Sequence, residues 1–414
     1  MSENRSGQLQ REYDVLTDKL ADKGINADEV KAKVKKFDVE IPSWLFGEFG
    51  GGRFSEFMPP APAPDRYAKI DDAAFVHELT DAASRVAIHV GWDKPADVSV
   101  ENLSADDFED LASYAKEQGI GIGAVNPTLF LEGTHHGSLS SPDNNVRDKL
   151  IDHCLISCDI ADIYGHNLVT YWLPDGSQYP GQRDLWKQEK RVREALSTIH
   201  QRSPEDVLHL IEYKHFEPGT YSTVIPDAGV ARDIAEFLGD DVGVLVDMGH
   251  HAWGVNVGQI VARLLGTNTP GGFHFNTRYA ADDDHAVEPS LRLFEVFCEL
   301  ASADVVVNED PDANWAYMVD QCSSLENRIR AVLHTIDSLM ITFAKSLIID
   351  YKRLQDMREG RNIIGANRTL LDAFLTDVRP IVEMARVEKG LAPDPVLAFE
   401  ESGYQEQIEG ERNT

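Results

Sequence analysis

The chain has 414 residues and a strongly acidic composition. Its 39 lysines and arginines stand against 70 aspartates and glutamates, which gives a net charge of −31. A chain with this charge is repelled by nucleic acid and by anionic lipid, so the composition argues against both as partners. The N-terminus is polar, unlike a signal peptide, and no apolar run is long enough to span a bilayer. We therefore expect a cytoplasmic protein whose four cysteines are reduced.

In chain order, the first residues are helical or irregular and the strands begin near residue 40. Residues 1–12 are polar, and we expect them to be mobile. Residues 13–37 predict two short amphipathic helices separated at Gly24. From there, aliphatic runs alternate with helical patterns. The segments that begin as strands are 40–46, 84–92, 119–130, 167–176, 208–218, 243–254, 271–289 and 316–322. Eight strands spaced by helices predict an α/β protein with a (β/α)₈ barrel, a TIM barrel.

This pattern divides the chain into three regions. We expect an N-terminal helical extension over 1–39, the barrel as catalytic domain over 40–357, and a C-terminal helical arm with an acidic tail over 358–414. The run DVVVNED at 304–310 is a candidate ninth strand that we place in a linker. The tail after Pro393 is rich in acidic residues, which predicts disorder or an extended arm.

Metal-ligand residue types follow the later strands. They are Glu212, Asp247, His250, His274, Asp282, Asp284 and Asp320. The C-terminal ends of barrel strands meet on one face, where such barrels keep their active sites, so these side chains can converge. Glu212, Asp247, His274 and Asp320 can form one complete ligand set. A second set of His250, Asp282 and Asp284, with Asp247 as a bridge, follows from their spacing. Carboxylates with imidazoles suit Mn²⁺, Co²⁺, Zn²⁺ or Mg²⁺ rather than a thiolate-bound metal.

Other residues near strand ends suit a sugar substrate. Lys214 lies on the same strand face as Glu212, where a cation can stabilise a developing alkoxide. His89 fits a role at a sugar ring oxygen, and it fits a buried core histidine equally well. Trp92, Asn126 and Trp172 each end a strand with a group that typically contacts sugars, and the alternative is ordinary packing.

The loop at 47–57 contains the glycine cluster GEFGGGRFSEF. A glycine cluster binds phosphate when it opens a helix, but here the proline-rich PPAPAPD follows. We therefore interpret this segment as a flexible loop that presents Phe54.

Four motifs in this order resemble bacterial L-rhamnose isomerase, within the xylose-isomerase-like barrel superfamily. They are EYK (212–214), DMGHH (247–251), HFN (274–276) followed by DDD (282–284), and MVDQ (318–321). The resemblance covers about residues 40–355 and includes HVGWD, AVNPTLF, GSLSSPD and WLPDGSQYPGQ. It implies a two-metal aldose–ketose isomerase, usually a homotetramer and often Mn²⁺-preferring, in which Phe54 reaches a neighbouring subunit's site.

The resemblance also implies roles for single residues. The first ligand set would hold a structural ion and the second a catalytic one. The catalytic residues expected are Lys214, His250, Asp282, His89 and Asp320, and the substrate-binding residues are Trp92, Asn126, Trp172 and Phe54. The acidity of the chain and Cys322 in DQCSS depart from the family's pattern, which leaves the preferred sugar in doubt.

The function expected is conversion of L-rhamnose to L-rhamnulose by a metal-assisted hydride shift on the open-chain sugar. Proton transfer through an enediol is the alternative mechanism. Another barrel sugar isomerase or a ketose epimerase is the alternative activity. A metal-dependent nuclease would need a basic groove, and a non-enzymatic metal-binding protein should lack one of the ligands.

Overall fold

Eight parallel strands form a closed barrel in the computed structural model, which describes residues 3–48, 60–217, 222–279, 282–303, 305, 315–321 and 326–412. The barrel strands are β1 (Glu40–Pro42), β2 (Arg85–His89), β3 (Gly121–Asn126), β4 (Leu168–Tyr171), β5 (Leu208–Glu212), β6 (Val242–Asp247), β7 (Gly271–Phe275) and, last in the chain, β10 (Trp315–Val319). An antiparallel hairpin of β8 (Thr277–Tyr279) and β9 (Asp282–His285) lies between β7 and β10 in the chain. The order around the barrel is β1-β10-β7-β6-β5-β4-β3-β2. The predicted (β/α)₈ fold is confirmed.

The barrel strands are buried on both faces, which explains why they read as continuous aliphatic runs. Inward side chains of the strands form one cluster inside the barrel with Trp44, which follows β1; the strand members are Ala87, Ala124, Leu168, Leu210, Leu245, Ala316 and Met318. Their outward side chains pack under the helices in a second, larger core. The strand ends are therefore fixed from both sides.

Helices follow the strands and extend the chain at both ends. They are α1 (Glu3–Ala21), α2 (Ala27–Val34), α3 (Arg66–Thr80), α4 (Glu109–Glu117), α5 (Asn144–Tyr164), α6 (Leu185–Arg202), α7 (Ala228–Leu238), α8 (Val257–Gly266), α9 (Leu291–Ser302), α10 (Arg328–Leu347), α11 (Tyr351–Glu359), α12 (Ile363–Leu375), α13 (Arg379–Glu388), α14 (Pro395–Ser402) and α15 (Tyr404–Arg412). Among the described residues no single helix is long and apolar enough to span a membrane. Helices α10 and α11 meet that length and composition only together, across a bend of 59°.

The N-terminal residues are helical, so the expected mobility of 1–12 is wrong for residues 3–12. Helix α1 buries one face, formed by Leu9, Tyr13, Leu16 and Leu20. These residues recur at helical spacing, so they lie on one side of the helix. The polar composition of the first residues describes only the opposite, exposed face.

The C-terminal tail is helical as well, so of the two expectations after Pro393, disorder or an arm, disorder is wrong for residues 394–412. Asp394 caps α14 by accepting hydrogen bonds from the backbone N–H groups of residues 396 and 397. Tyr404 stacks on Phe75 of α3 with ring centroids 3.9 Å apart, and Arg412 pairs with Asp72 at 2.8 Å. The tail therefore folds back onto α3. The candidate ninth strand at 304–310 lies outside the described residues, apart from residue 305, as do Phe54 and Cys322.

Candidate metal centre

Four side chains from four strands converge at the C-terminal end of the barrel. Glu212 ends β5, Asp247 ends β6, His274 lies opposite Asp247 in β7, and Asp320 directly follows β10. One donor atom of each lies within 4.8 Å of the donor atoms of the other three. His274 Nδ1 is 3.2 Å from Glu212 Oε1, 3.7 Å from Asp320 Oδ2 and 3.9 Å from Asp247 Oδ2. The structure thus brings together the first predicted ligand set.

Burial and neighbouring charges shift the pKa values of Glu212, His274 and Asp320. Burial disfavours ionised Glu212, but His274 and His250 outweigh burial and hold the pKa of this carboxyl at about 2. The pKa of His274 rises to about 9 despite burial, because Glu212 lies beside it. Burial raises the pKa of Asp320 to about 7, with His274 opposing the shift. Three carboxyl groups and one imidazole at this distance fit a divalent cation, because oxygen and nitrogen donors of this kind are what such ions bind.

His250 lies at the edge of the cluster. Its Nδ1 is 3.2 Å from Glu212 Oε1 and 3.2 Å from the carbonyl oxygen of Tyr213. Its Nε2 is 3.8 Å from Asp247 Oδ1. The ring is therefore held at Nδ1, and Nε2 faces the carboxylate that was expected to bridge two ions.

The rest of the second ligand set is less defined. The backbone of Asp282 lies in β9, but its side chain is outside the described part of the chain. Asp284 lies on the same strand with a φ of 64°, in the left-handed region. The second ion site stays a prediction.

Asp247 is fixed by its neighbours as well as by the strand. It is fully buried, its Oδ1 accepts the Gly249 N–H at 2.7 Å, and its Oδ2 accepts the Asn276 amide at 2.8 Å. Hydrogen bonds of this kind orient metal ligands in proteins.

A row of aromatic rings lines the barrel mouth beside the cluster. We call Trp44, His89, Trp92, Phe130 and Trp172 the aromatic wall. Centroids are 5.6 Å apart for Trp44–His89, 4.3 Å for His89–Trp92, 5.3 Å for Trp92–Phe130 and 5.4 Å for Phe130–Trp172. A cavity of about 410 Å³ touches the wall only at Trp44 and Trp92, and the rest of its lining is Gly47, Glu48, Ala63, Pro64, Asp65 and Lys69. The wall offers apolar faces of the kind that pack on sugar rings.

The expected charged and polar residues are placed around this wall. Lys214 Nζ stands 5.8 Å from the Trp172 ring and 2.9 Å from Glu217 Oε2. Burial lowers the pKa of His89 to about 3, so its imidazole is neutral at pH 7. His89 Nδ1 lies 2.5 Å from Thr128 Oγ1.

Asn126 is engaged within the barrel. Its amide nitrogen donates to the Ile88 carbonyl at 3.0 Å, and its oxygen accepts the Thr170 hydroxyl. These bonds join three neighbouring strands. Its expected contact with a sugar stays a prediction.

The sequence of the chain matches a known protein family. The model of the L-rhamnose isomerase (RhaA) family matches residues 7–364. The chain belongs to this family. Membership makes it an isomerase enzyme with a small sugar as substrate, and it confirms the resemblance drawn from the motifs.

Individual relatives of the family differ in their similarity to the chain. It is 36% identical to probable sugar isomerases of Mesorhizobium japonicum and Rhizobium meliloti, across 99% of its length and 94% of each relative. It is 23% identical to an L-rhamnose isomerase of Lactiplantibacillus plantarum, over 53% of the chain and 56% of that protein. Among solved structures, an L-ribulose 3-epimerase aligns with a TM-score of 0.53 at 14% identity, covering 79% of the chain and 98% of the epimerase. That likeness shows the barrel fold.

Sequence reasoning missed two members of the aromatic wall in this family member. Trp44 follows β1 within SWLF, and Phe130 ends the motif AVNPTLF, four residues after β3. The usable signal was their position shortly after a strand, which is where a barrel places its site residues.

Proposed function

We propose that the protein is a metal-dependent aldose–ketose isomerase that converts L-rhamnose to L-rhamnulose. The observation that carries this proposal is the convergence of Glu212, Asp247, His274 and Asp320 at the barrel mouth, beside Lys214 and the aromatic wall. Family membership gives the reaction class, and this arrangement supports a reaction at adjacent oxygens of a sugar.

The ligand residues would hold up to two divalent ions. Glu212, Asp247, His274 and Asp320 would bind one, and His250, Asp282 and Asp284 would share Asp247 for the other. Such an ion supplies a Lewis acid for the hydroxyl and carbonyl oxygens of the open-chain sugar. Mn²⁺ is the first candidate, with Co²⁺, Zn²⁺ and Mg²⁺ as alternatives.

Lys214 supplies positive charge to the reacting end of the sugar. As hydride moves from C2 to C1, the O2 hydroxyl loses its proton and becomes the new carbonyl, while negative charge develops on O1 until O1 takes that proton up. An ammonium group aimed at O1 stabilises this transition state. Glu217 and the Trp172 ring hold the Lys214 side chain in place. In the alternative enediol route, Asp282 or Asp284 takes the proton from C2 and returns it to C1, while the O2 proton passes to O1.

His89 prepares the open-chain form. Thr128 Oγ1 accepts the Gly91 N–H at 2.8 Å, and we assign its own hydrogen to His89 Nδ1, which then accepts it. The neutral imidazole then carries its proton on Nε2 and can donate it to the ring oxygen of the closed sugar.

The aromatic wall favours a sugar with an apolar end. A methyl group at C6 gains free energy on these rings, whereas a hydroxyl group there would lose hydrogen bonds to water. This argument supports L-rhamnose, a 6-deoxy sugar.

A matched pair of substrates tests the proposal. The enzyme, loaded with Mn²⁺, is assayed on L-rhamnose and on L-mannose, which differ only by the C6 hydroxyl. We expect a kcat/KM higher for L-rhamnose by on the order of 10-fold or more, the usual value of one such group in an apolar pocket. No ketose from either sugar, or epimerisation of a ketose without aldose formation, would overturn the proposal. Retention of the C2 hydrogen in D₂O separates the hydride shift from the enediol route.

A further inference from the structure

We propose that Trp44 is a positioning residue for the metal centre. Its indole N–H holds one oxygen of Asp320, so that the other oxygen faces the remaining ligands. The inference rests on the proposed function, because it assumes that an ion binds beside Asp320.

The geometry of the contact is direct. Trp44 Nε1 donates to Asp320 Oδ1 at 2.9 Å, across 276 residues of sequence. The other oxygen, Oδ2, is the one that lies 3.7 Å from His274 Nδ1. A carboxylate turns about its Cβ–Cγ bond unless something fixes one oxygen. The indole fixes Oδ1, which leaves Oδ2 as the coordinating atom.

The indole is itself held rigidly. Trp44 lies in a 3-10 turn, Ser43–Phe46, that directly follows β1, and its side chain is buried. The buried Arg328 guanidinium donates to the carbonyl oxygen of Leu45 on one side of this turn. On the other side, the Ser43 hydroxyl donates to Asp93 at 2.5 Å. Edge-to-face packing on His89 fixes the ring plane.

Packing alone is the competing explanation for this tryptophan. Phenylalanine would preserve most of that packing and would remove only the N–H. If Trp44 acts through Asp320, the loss of its N–H must weaken metal binding. Groups that orient metal ligands typically account for a 10–100-fold difference in metal affinity.

Titration of the metal-free protein with Mn²⁺ by calorimetry tests the proposal. Trp44→Phe is compared with wild type and with Trp92→Phe, which alters the same aromatic wall but leaves the Trp44–Asp320 hydrogen bond in place. We expect Trp44→Phe to bind Mn²⁺ about 10–100-fold more weakly, and Trp92→Phe to bind it as wild type does. Trp44→Met takes the place of Trp44→Phe if the phenylalanine variant does not fold, since methionine also fills space without a hydrogen-bond donor.

Cobalt absorption separates positioning from a general loss of stability. At saturating Co²⁺ the affinity no longer matters, so a changed band pattern in Trp44→Phe reports a changed ligand geometry. An unchanged affinity or an unchanged saturated spectrum in Trp44→Phe overturns the role of Trp44. Absence of metal binding by wild type would instead overturn the proposed function.

Discussion

Replacing Lys214 by methionine is expected to raise the activation free energy of the reaction by more than it lowers the free energy of unfolding. The Lys214–Glu217 ion pair leaves 16% and 25% of the two side chains exposed. A pair that keeps contact with solvent contributes about 1 kcal/mol or less to stability. A preorganised cation that meets charge formed in the transition state contributes about 2.7–4 kcal/mol, or 10²–10³ in rate. The catalytic effect should therefore exceed the structural one.

The assay compares Lys214→Met with Glu217→Gln under steady-state conditions, with bound metal quantified in each protein. Glu217→Gln removes the same ion pair but keeps the ammonium charge, so it controls for the structural contribution. We expect the large loss of kcat in Lys214→Met alone, with a small change in KM. Equal losses in the two variants, or a rise in KM alone, would refute the assignment of Lys214 to the transition state.

Three further predictions concern the second ion and the base of the barrel. His250→Asn should abolish turnover while equilibrium dialysis still finds one bound metal ion, and near wild-type kcat would contradict the role of His250. Gly123→Ala should cost about 1–3 kcal/mol of unfolding free energy in urea, because its Cβ would lie 2.1 Å from Glu40 Oε2. If Gly123→Ala costs as much stability in the Glu40→Ala background, this cause is wrong. Burial acts to raise the pKa of Glu40, but His166 holds this pKa below its ordinary value. Ionised Glu40 therefore stabilises the fold at neutral pH, and this stabilisation is lost as the pH falls. The melting temperature of wild type should thus fall more steeply below about pH 4.3 than that of Glu40→Gln, and parallel curves would exclude this contribution.

The barrel was predictable because its physical causes are local in sequence. Strands buried on both faces appear as aliphatic runs, and helices that cover them appear at a period of 3.6 residues. Ligand types at the ends of successive strands then converge by the symmetry of the fold. The first ligand set followed from this reasoning alone.

The features that sequence reasoning missed depend on contacts between distant segments. The role of Trp44 was missed because its partner, Asp320, lies 276 positions away. The order of the tail depends on Tyr404 meeting Phe75, which acidic composition cannot reveal. For α1, the spacing of its buried residues was visible, and attention to polarity alone led to the wrong prediction.

Two expectations at the site depend on details that no pattern supplies. Asp282 and Asp284 were expected to share the second ion, but the side chain of Asp282 lies outside the described residues and Asp284 has a positive φ, so this expectation stays a prediction. Asn126 has the residue type of a sugar contact; its amide bonds to neighbouring strands, and the sugar contact stays a prediction. Phe54 lies outside the described residues, and its contact with a second subunit stays a prediction, as does the tetramer.

Metal dependence of turnover tests the central claim most directly. The protein is stripped with a chelator, its metal content is measured by elemental analysis, and Mn²⁺ is returned in steps while aldose-to-ketose conversion is followed. We predict no conversion by the stripped protein and a rate that rises with bound Mn²⁺, because Glu212, Asp247, His274 and Asp320 are arranged to hold an ion. Full turnover by protein shown to be free of metal would contradict the account.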